Sequence, residues 1–466
     1  MTSAERCWTR RGVVAGLTAI GGIMPAMGAC STPTGSVSVP DFRVSGDRDD
    51  TAAAQRAIAT GRPVHFPAGR GSDRDGAYLL RELALRSGTR LSGDGATSVL
   101  RVADARTRTA IVAMSDTVQQ PLTDIIIRDL RVEGRVKQTG FVEHWNLIWL
   151  SGVAGVRIDR VEIAGFTSDG LFLGAEKQRV TREPRIIRDV IVSDCLFDGV
   201  NNDNRNAISV TGGSDITIQR CRFLRCTRPN MPGPIDFEPE PYRFYRLERL
   251  RVLDCDFQDC GGNYGQVAIM VPDVVAPPHD VLIADNRFRG YRGTGGDVTI
   301  SINRPPDDTM AYMQCVIERN IGEGGYGGFH IFSGKGITIR QNSWTGYSSR
   351  SFLGFAMPSG GVMDASVADQ FSGCGWREGI ALALYKGDNV RVEGSRFTRS
   401  GNGRPGSAPI FLGPGRIRRL ALVGNDLRNN ETARGLVTVE RCTDYLAGTT
   451  RITDNLLSSS QRLPQL

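Results

Sequence analysis

The chain has 466 residues, 40% of them hydrophobic and 7% aromatic, with 56 glycines, a composition that supplies a core and many tight turns and excludes a disordered or collagen-like polymer. The formal net charge of +7 comes with no basic run and no nucleic-acid-binding motif, which argues against nucleic acid as a partner. Only Lys137, Lys177, Lys335 and Lys386 are lysines, so the positive charge is nearly all arginine, whose planar fork suits carboxylates and sulfates; an anionic ligand and a coding bias toward arginine explain this equally well.

Thr9-Arg10-Arg11-Gly12-Val13-Val14 opens a weakly apolar stretch that ends in Met27-Gly28-Ala29-Cys30. This resembles a twin-arginine signal over residues 1–29 followed by a lipoprotein cleavage box, with Met27 where leucine is usual. The resemblance implies export and acylation of Cys30, giving a membrane-anchored lipoprotein; an ordinary cut after Ala29 gives a periplasmic protein instead. Cleavage leaves 54 basic against 49 acidic side chains, a net +5. Residues 30–45 then read as a linker. No later run is long and apolar enough to span a bilayer.

Residues 46–100 read as an N-terminal cap. Thr51-Ala52-Ala53-Ala54-Gln55-Arg56-Ala57-Ile58-Ala59 predicts a short helix, with Asp49, Asp50 or Thr51 as its cap, and Val64-His65-Phe66 predicts a strand. From residue 101 to 442 a template recurs: a Val/Ile-x-Val/Ile strand, a turn, a small or amide residue and then an aromatic. Ile191 to Phe197, Ile216 to Phe223, Leu250 to Phe257, Val281 to Phe288, Ile337 to Trp344 and Val390 to Phe397 are copies. Their spacing predicts one wide turn of coil per copy, and Cys195, Cys221, Cys255 and Asn286 share a slot. Residues 443–466 are left as a C-terminal cap or tail. Eight cysteines follow Cys30; their shared slots favour free, inward-facing thiols over disulfides.

Asp49-Asp50-Thr51, Gln55, Ala57-Ile58, Phe66-Pro67-Ala68-Gly69 and Leu91-Ser92-Gly93-Asp94-Gly95 resemble the entry of the pectate-lyase-like superfamily, which includes polygalacturonase-like enzymes and phage tailspikes. With the repeats, the likeness spans residues 45–440. It implies an all-β fold, a right-handed parallel β-helix (a solenoid) with a short N-terminal capping helix, and a carbohydrate ligand. The scaffold hosts lyases, hydrolases, epimerases and adhesins.

The candidate chemistry lies in Gly233-Pro234-Ile235-Asp236-Phe237-Glu238-Pro239-Glu240. Strand alternation buries Ile235 and Phe237 and turns Asp236 and Glu238 outward together, roughly 6.5–7 Å apart, near the spacing of an inverting glycosidase pair. Asp203 is a third catalytic candidate, or a calcium ligand. Asn202, Arg205, Tyr242, Arg243, Tyr264 and His330 are candidate substrate-binding residues: amides and aromatics for a sugar, and cations or a base for the uronate chemistry of a lyase. Pro277-Pro278-His279-Asp280 is similar to the Asp-Pro-His-Asp motif of alginate epimerases, but Ala276 replaces its first acid, and the catalytic pattern of polygalacturonases is absent.

The sequence therefore points to a carbohydrate-active enzyme cleaving a polysaccharide in a groove on the coil, as a glycoside hydrolase using an Asp/Glu pair. The alternatives are a polysaccharide lyase for uronate-containing glycans, a reading that leaves room for a Ca²⁺ cofactor, and a non-catalytic glycan-binding surface lipoprotein. No cofactor or metal site is called for the hydrolase.

Overall fold

The computed structural model describes residues 35–115, 121–175, 185–430, 432, 437–439, 450–458 and 461. The twin-arginine stretch and Cys30 lie outside these residues, as does Cys442. The described chain is a right-handed parallel β-helix whose rungs each pass through three short strands. One rung runs Ile208–Val210, Gly213–Gln219 and Arg222–Leu224, and the next starts at Ile235–Phe237. Among the described residues every strand pairing is parallel, for example Ile208 with Ile235 and Ile235 with Val267. Alternation fills the interior with Val, Ile, Leu and Phe in one continuous core.

Two ladders along the axis explain the repeated template. Phe197, Phe223, Phe257 and Phe288 stack with ring centroids 4.6–5.1 Å apart, and each such contact contributes about 0.5–1.5 kcal/mol beyond its buried area. At the corner before them, Asp194, Arg220, Asp254, Asp285 and Arg319 take left-handed backbone angles, with φ between 51° and 60°. The following slot holds Cys195, Cys221 and Cys255, then Asn286, Asn320 and Asn342. Asn286 Nδ2 donates to Asn320 Oδ1 and Asn320 Nδ2 to Asn342 Oδ1, each at 2.9 Å. These side chains satisfy backbone groups that the turn would otherwise leave buried without partners. Seven cysteines, from Cys195 to Cys374, are free and buried.

The arginine excess has a structural use. Arg220 reaches back to Asp194 at 2.7 Å, Arg249 to Asp215 at 2.5 Å and Arg319 to Asp285 at 2.8 Å, so guanidinium and carboxylate groups tie successive rungs along the outer corners. Such exposed pairs are individually weak and matter as a series.

The N-terminal end is closed as the sequence suggests, by the helix Thr51–Ala59. Its capping differs in detail. Asp49 Oδ1 accepts from the Thr51 N–H at 3.0 Å, while Asp50 turns inward to bind Arg43, Ser72 and the Leu79 N–H. Sheet pairing also begins earlier than the linker assignment allows: Val37 and Ser38 pair with Val64 and His65.

Candidate functional site

The strand Ile235–Phe237 follows the expected alternation. Ile235 and Phe237 enter the core, and Asp236 and Glu238 leave it. They meet different surroundings. Glu238 is open to solvent, its side chain 46% exposed, whereas the Asp236 side chain is fully covered. The cover comes from the turn that precedes the neighbouring strand. Asn204 is buried there, donating to the Gly199 carbonyl at 3.2 Å and accepting from the Thr227 N–H at 2.8 Å. The Arg205 N–H donates to the Ser168 carbonyl at 3.0 Å. Held at both sides, the turn sends the Arg205 side chain across the strands.

Arg205 joins three carboxylates. Its Nη1 is 3.5 Å from Asp169 Oδ2, and its Nη2 is 3.7 Å from Asp236 Oδ2 and 3.0 Å from Glu238 Oε2. Asn206 completes the cluster: its N–H donates to Asp169 Oδ1 and its Nδ2 to Asp236 Oδ2, both at 3.2 Å. Sharing one nitrogen holds the Asp236 and Glu238 oxygens near or under the lower end of the roughly 6.5–9.5 Å range of an inverting pair.

Burial pushes the Asp236 carboxyl well above the usual carboxylate range; the charge of Glu238 pushes the same way, and Arg205 offsets part of the effect. Its Oδ1 is buried with no hydrogen-bond partner in the structure. Asp169 is raised by burial to about 6 in spite of Arg205. Burial disfavours the Arg205 charge, but Asp169, Asp236 and Glu238 more than compensate and raise its pKa. The surroundings thus favour the protonated form of one acid beneath a solvent-facing carboxyl group.

Arg205 and Glu238 of this cluster line a groove of about 710 Å³ on the outer face of the strands, with Asp236 and Asp169 buried beneath them. Trp149 and Phe172 lie on one side, in the ladder that continues through Ser209 to Asp236. Their rings meet edge to face at 5.4 Å. Thr211, Met270 and Ser301 flank Glu238 along its own ladder, with Glu240, Tyr264, Asn303 and Met357 as further walls.

Of the residues singled out by sequence, the structure brings together Asp236, Glu238, Arg205 and Tyr264. Four others are placed elsewhere. Asp203 faces Arg228 at 3.8 Å, and Asn202 donates to the carbonyls of Cys226 and Asp259, clipping rungs together. Tyr242 packs on Tyr245, and Arg243 lies over the Phe244 ring at 4.7 Å; neither lines the groove.

His330 corrects the expectation of an outward, reachable base. It occupies an outward ladder position but is buried among outer-face aromatics, stacked on Phe352 at 4.4 Å, with Nε2 3.2 Å from the Arg350 carbonyl oxygen. Burial lowers its pKa to about 3, so it stays neutral. Asp280 of the epimerase-like stretch pairs with Arg251 at 2.7 Å, within the corner series. Among the described residues no three His, Cys, Asp or Glu side chains are grouped to hold a metal ion.

Asp169 was missed. Its signal was present: Asp169-Gly170-Leu171 precedes its strand as Asn206-Ala207-Ile208 precedes the next. A second buried acid, Asp297, accepts from Gln266 Nε2 at 2.8 Å and from the Tyr347 hydroxyl. Gly322 makes that contact possible, because a Cβ there would lie 2.0 Å from the Tyr347 hydroxyl oxygen.

No family model matches the chain. An uncharacterized Bacillus subtilis (strain 168) protein, YclG, is 30% identical over 94 residues, a match covering 20% of this chain and 16% of that protein. Among solved structures, the pre-mature gene product 12 of bacteriophage phi29 is 14% identical with a TM-score of 0.58, over 87% of this chain and 55% of that one. PfbA, a surface adhesin of Streptococcus pneumoniae, is 14% identical with a TM-score of 0.51, over 87% and 93%. The A-module of the Azotobacter vinelandii mannuronan C-5 epimerase AlgE6 is 15% identical with a TM-score of 0.50, over 91% and 100%. At these identities the likeness is one of fold, and the fold is the parallel β-helix.

Proposed function

We propose that this protein is a carbohydrate-active enzyme that hydrolyses a polysaccharide lying in the groove, with Asp236 as proton donor and Glu238 as the carboxylate that acts on water or the sugar. The observation that carries the reading is the unequal setting of the two acids. Asp236 is buried in surroundings that favour its protonated form, while Glu238 opens onto the groove beside Arg205. Pairs of acids whose surroundings separate their protonation states are suited to general acid and base work. Trp149, Phe172 and Tyr264 supply flat apolar faces of the kind on which sugar rings stack. The occurrence of the fold in a mannuronan epimerase is compatible with a glycan ligand.

Incubation of residues 31–466 with neutral and uronate-containing polysaccharides tests this, reading new reducing ends and the absorbance of unsaturated products. Reducing ends alone support hydrolysis. Both signals together identify a lyase, a reading weakened by the burial of His330 and the position of Arg243 outside the groove. Full burial of Asp236 favours a second reading, a glycan-binding surface protein without catalysis, which tight binding with no product would identify. For location we propose export and acylation at Cys30, tested by the mass of the mature N-terminal peptide.

A further inference from the structure

We infer that the groove is selective for an uncharged polysaccharide and excludes polyuronates and sulfated glycans. The inference rests on the glycan reading above and deepens it. It runs against the sequence-level impression that an arginine-rich protein favours an anion.

The charge balance inside the groove decides the matter. Among the described residues that line it, only Arg205 and His144 are basic. Arg205 is already surrounded by Asp169, Asp236 and Glu238, three carboxylates on one guanidinium. Glu240, also lining the groove, adds another exposed carboxylate. Outside the lining, Arg249 is committed to a rung-to-rung pair with Asp215, and Arg243 lies over the Phe244 ring. A uronate or sulfate group entering the groove therefore meets Glu238 and Glu240, while the one arginine among the described lining residues is already shared by three carboxylates, and like charges brought together out of bulk water repel strongly.

The same surface suits a neutral glycan. Ionised carboxylates only accept hydrogen bonds, and sugar hydroxyls are donors. Phe172 lies two strands from Asp236 in the same outward ladder, a separation of roughly 9–10 Å, so a sugar stacked on Phe172 leaves its neighbours along the coil within reach of Glu238. On the far side Met270 and Ser301 continue the floor without charge.

The test is a binding measurement, so that it does not depend on turnover. Affinity electrophoresis and calorimetry of the full mature chain would compare glucans, mannans, xylans and galactans with polygalacturonate, polymannuronate and their carboxyl-reduced forms. Binding of at least one neutral polymer, with every charged polymer at least tenfold weaker and the gap narrowing in high salt, is the expected result. Glu240→Lys should narrow the gap as well. Phe172→Ala should abolish neutral binding at an unchanged melting temperature, with Trp376→Ala, an exposed side chain outside the groove lining, as the control. A charged polymer bound as tightly as any neutral one would overturn the selectivity and leave the glycan reading intact. No binding to either class would overturn that reading, and the selectivity with it.

Discussion

Arg205 Nη2 lies 3.0 Å from Glu238 Oε2, although the residues belong to different rungs and are 33 positions apart in sequence. The same nitrogen faces Asp236, and the neighbouring nitrogen faces Asp169, so one side chain from a turn is shared by three acids. Removing it leaves those acids facing one another. Arg205→Ala should lower stability by about 3–5 kcal/mol at pH 8, the usual cost of breaking a buried charge pair from one side. The loss should be smaller at pH 5. Asp169, already raised to about 6, and Asp236 have folded pKa values above their unfolded ones, so the stability they contribute is present in acid and lost as pH rises. Thermal melts of both proteins at the two pH values check this; an equal loss at both would overturn it.

Asp236→Asn and Glu238→Gln should each reduce kcat by about 10²–10⁴, the usual contribution of a general acid or base. Asp236→Asn is close to isosteric, so its melting temperature should move little while activity falls. Asp203→Asn serves as the comparison, since Asp203 faces Arg228 and not the cluster. Loss of activity in Asp203→Asn equal to that in the other two would refute the assignment.

The fold was legible because the coil repeats its constraints. Each rung needs a corner residue that tolerates a left-handed backbone, a small or amide side chain to satisfy the turn, and an aromatic to fill the core, and Asp254, Cys255 and Phe257 show this in one short stretch. The strand carrying Asp236 was legible by alternation. What alternation cannot reveal is what covers an outward side chain. Arg205 seals Asp236 from the adjacent turn, and Phe352 covers His330 from the adjacent strand. Both contacts join residues more than 20 positions apart, and neither falls in the repeat template.

Asp369 occupies the slot filled by Asn342 in the rung before it and Ser395 in the rung after, and the reason for the acid is Trp344. Asp369 Oδ1 accepts from the Asn342 N–H and Nδ2, and Oδ2 accepts from Trp344 Nε1 at 2.8 Å. An asparagine would present an N–H to the indole N–H. Burial raises Asp369 to about 7, so the folded chain holds its proton above the unfolded value, and the associated stability falls as pH rises from about 4 through 7. Asp369→Asn should cost about 1–3 kcal/mol at pH 5, from the orphaned indole N–H. The deficit should shrink by pH 8, where the wild-type carboxylate bears its own desolvation cost. Denaturant melts across that range check it, and a deficit that grows with pH would exclude this account.

Asp50 anchors the cap. Its carboxylate is fully buried and accepts from Arg43 Nε at 2.8 Å, from the Ser72 N–H and Oγ at 2.9 and 2.6 Å, and from the Leu79 N–H at 2.9 Å. Asp50→Ala strands these donors together with a guanidinium and should destabilise the cap by about 3–5 kcal/mol. In a coil, rungs contact chiefly their neighbours, so the damage should stay local. Hydrogen exchange should accelerate in the helix Thr51–Ala59 and the strand Val64–Phe66, which that helix covers, and stay unchanged in Gly265–Val271. Uncovering the first rung also exposes a strand edge, so the variant should aggregate at concentrations where the parent stays monodisperse. Uniform acceleration across all rungs would instead mean that the coil unfolds as one cooperative body and that Asp50 supports the whole of it.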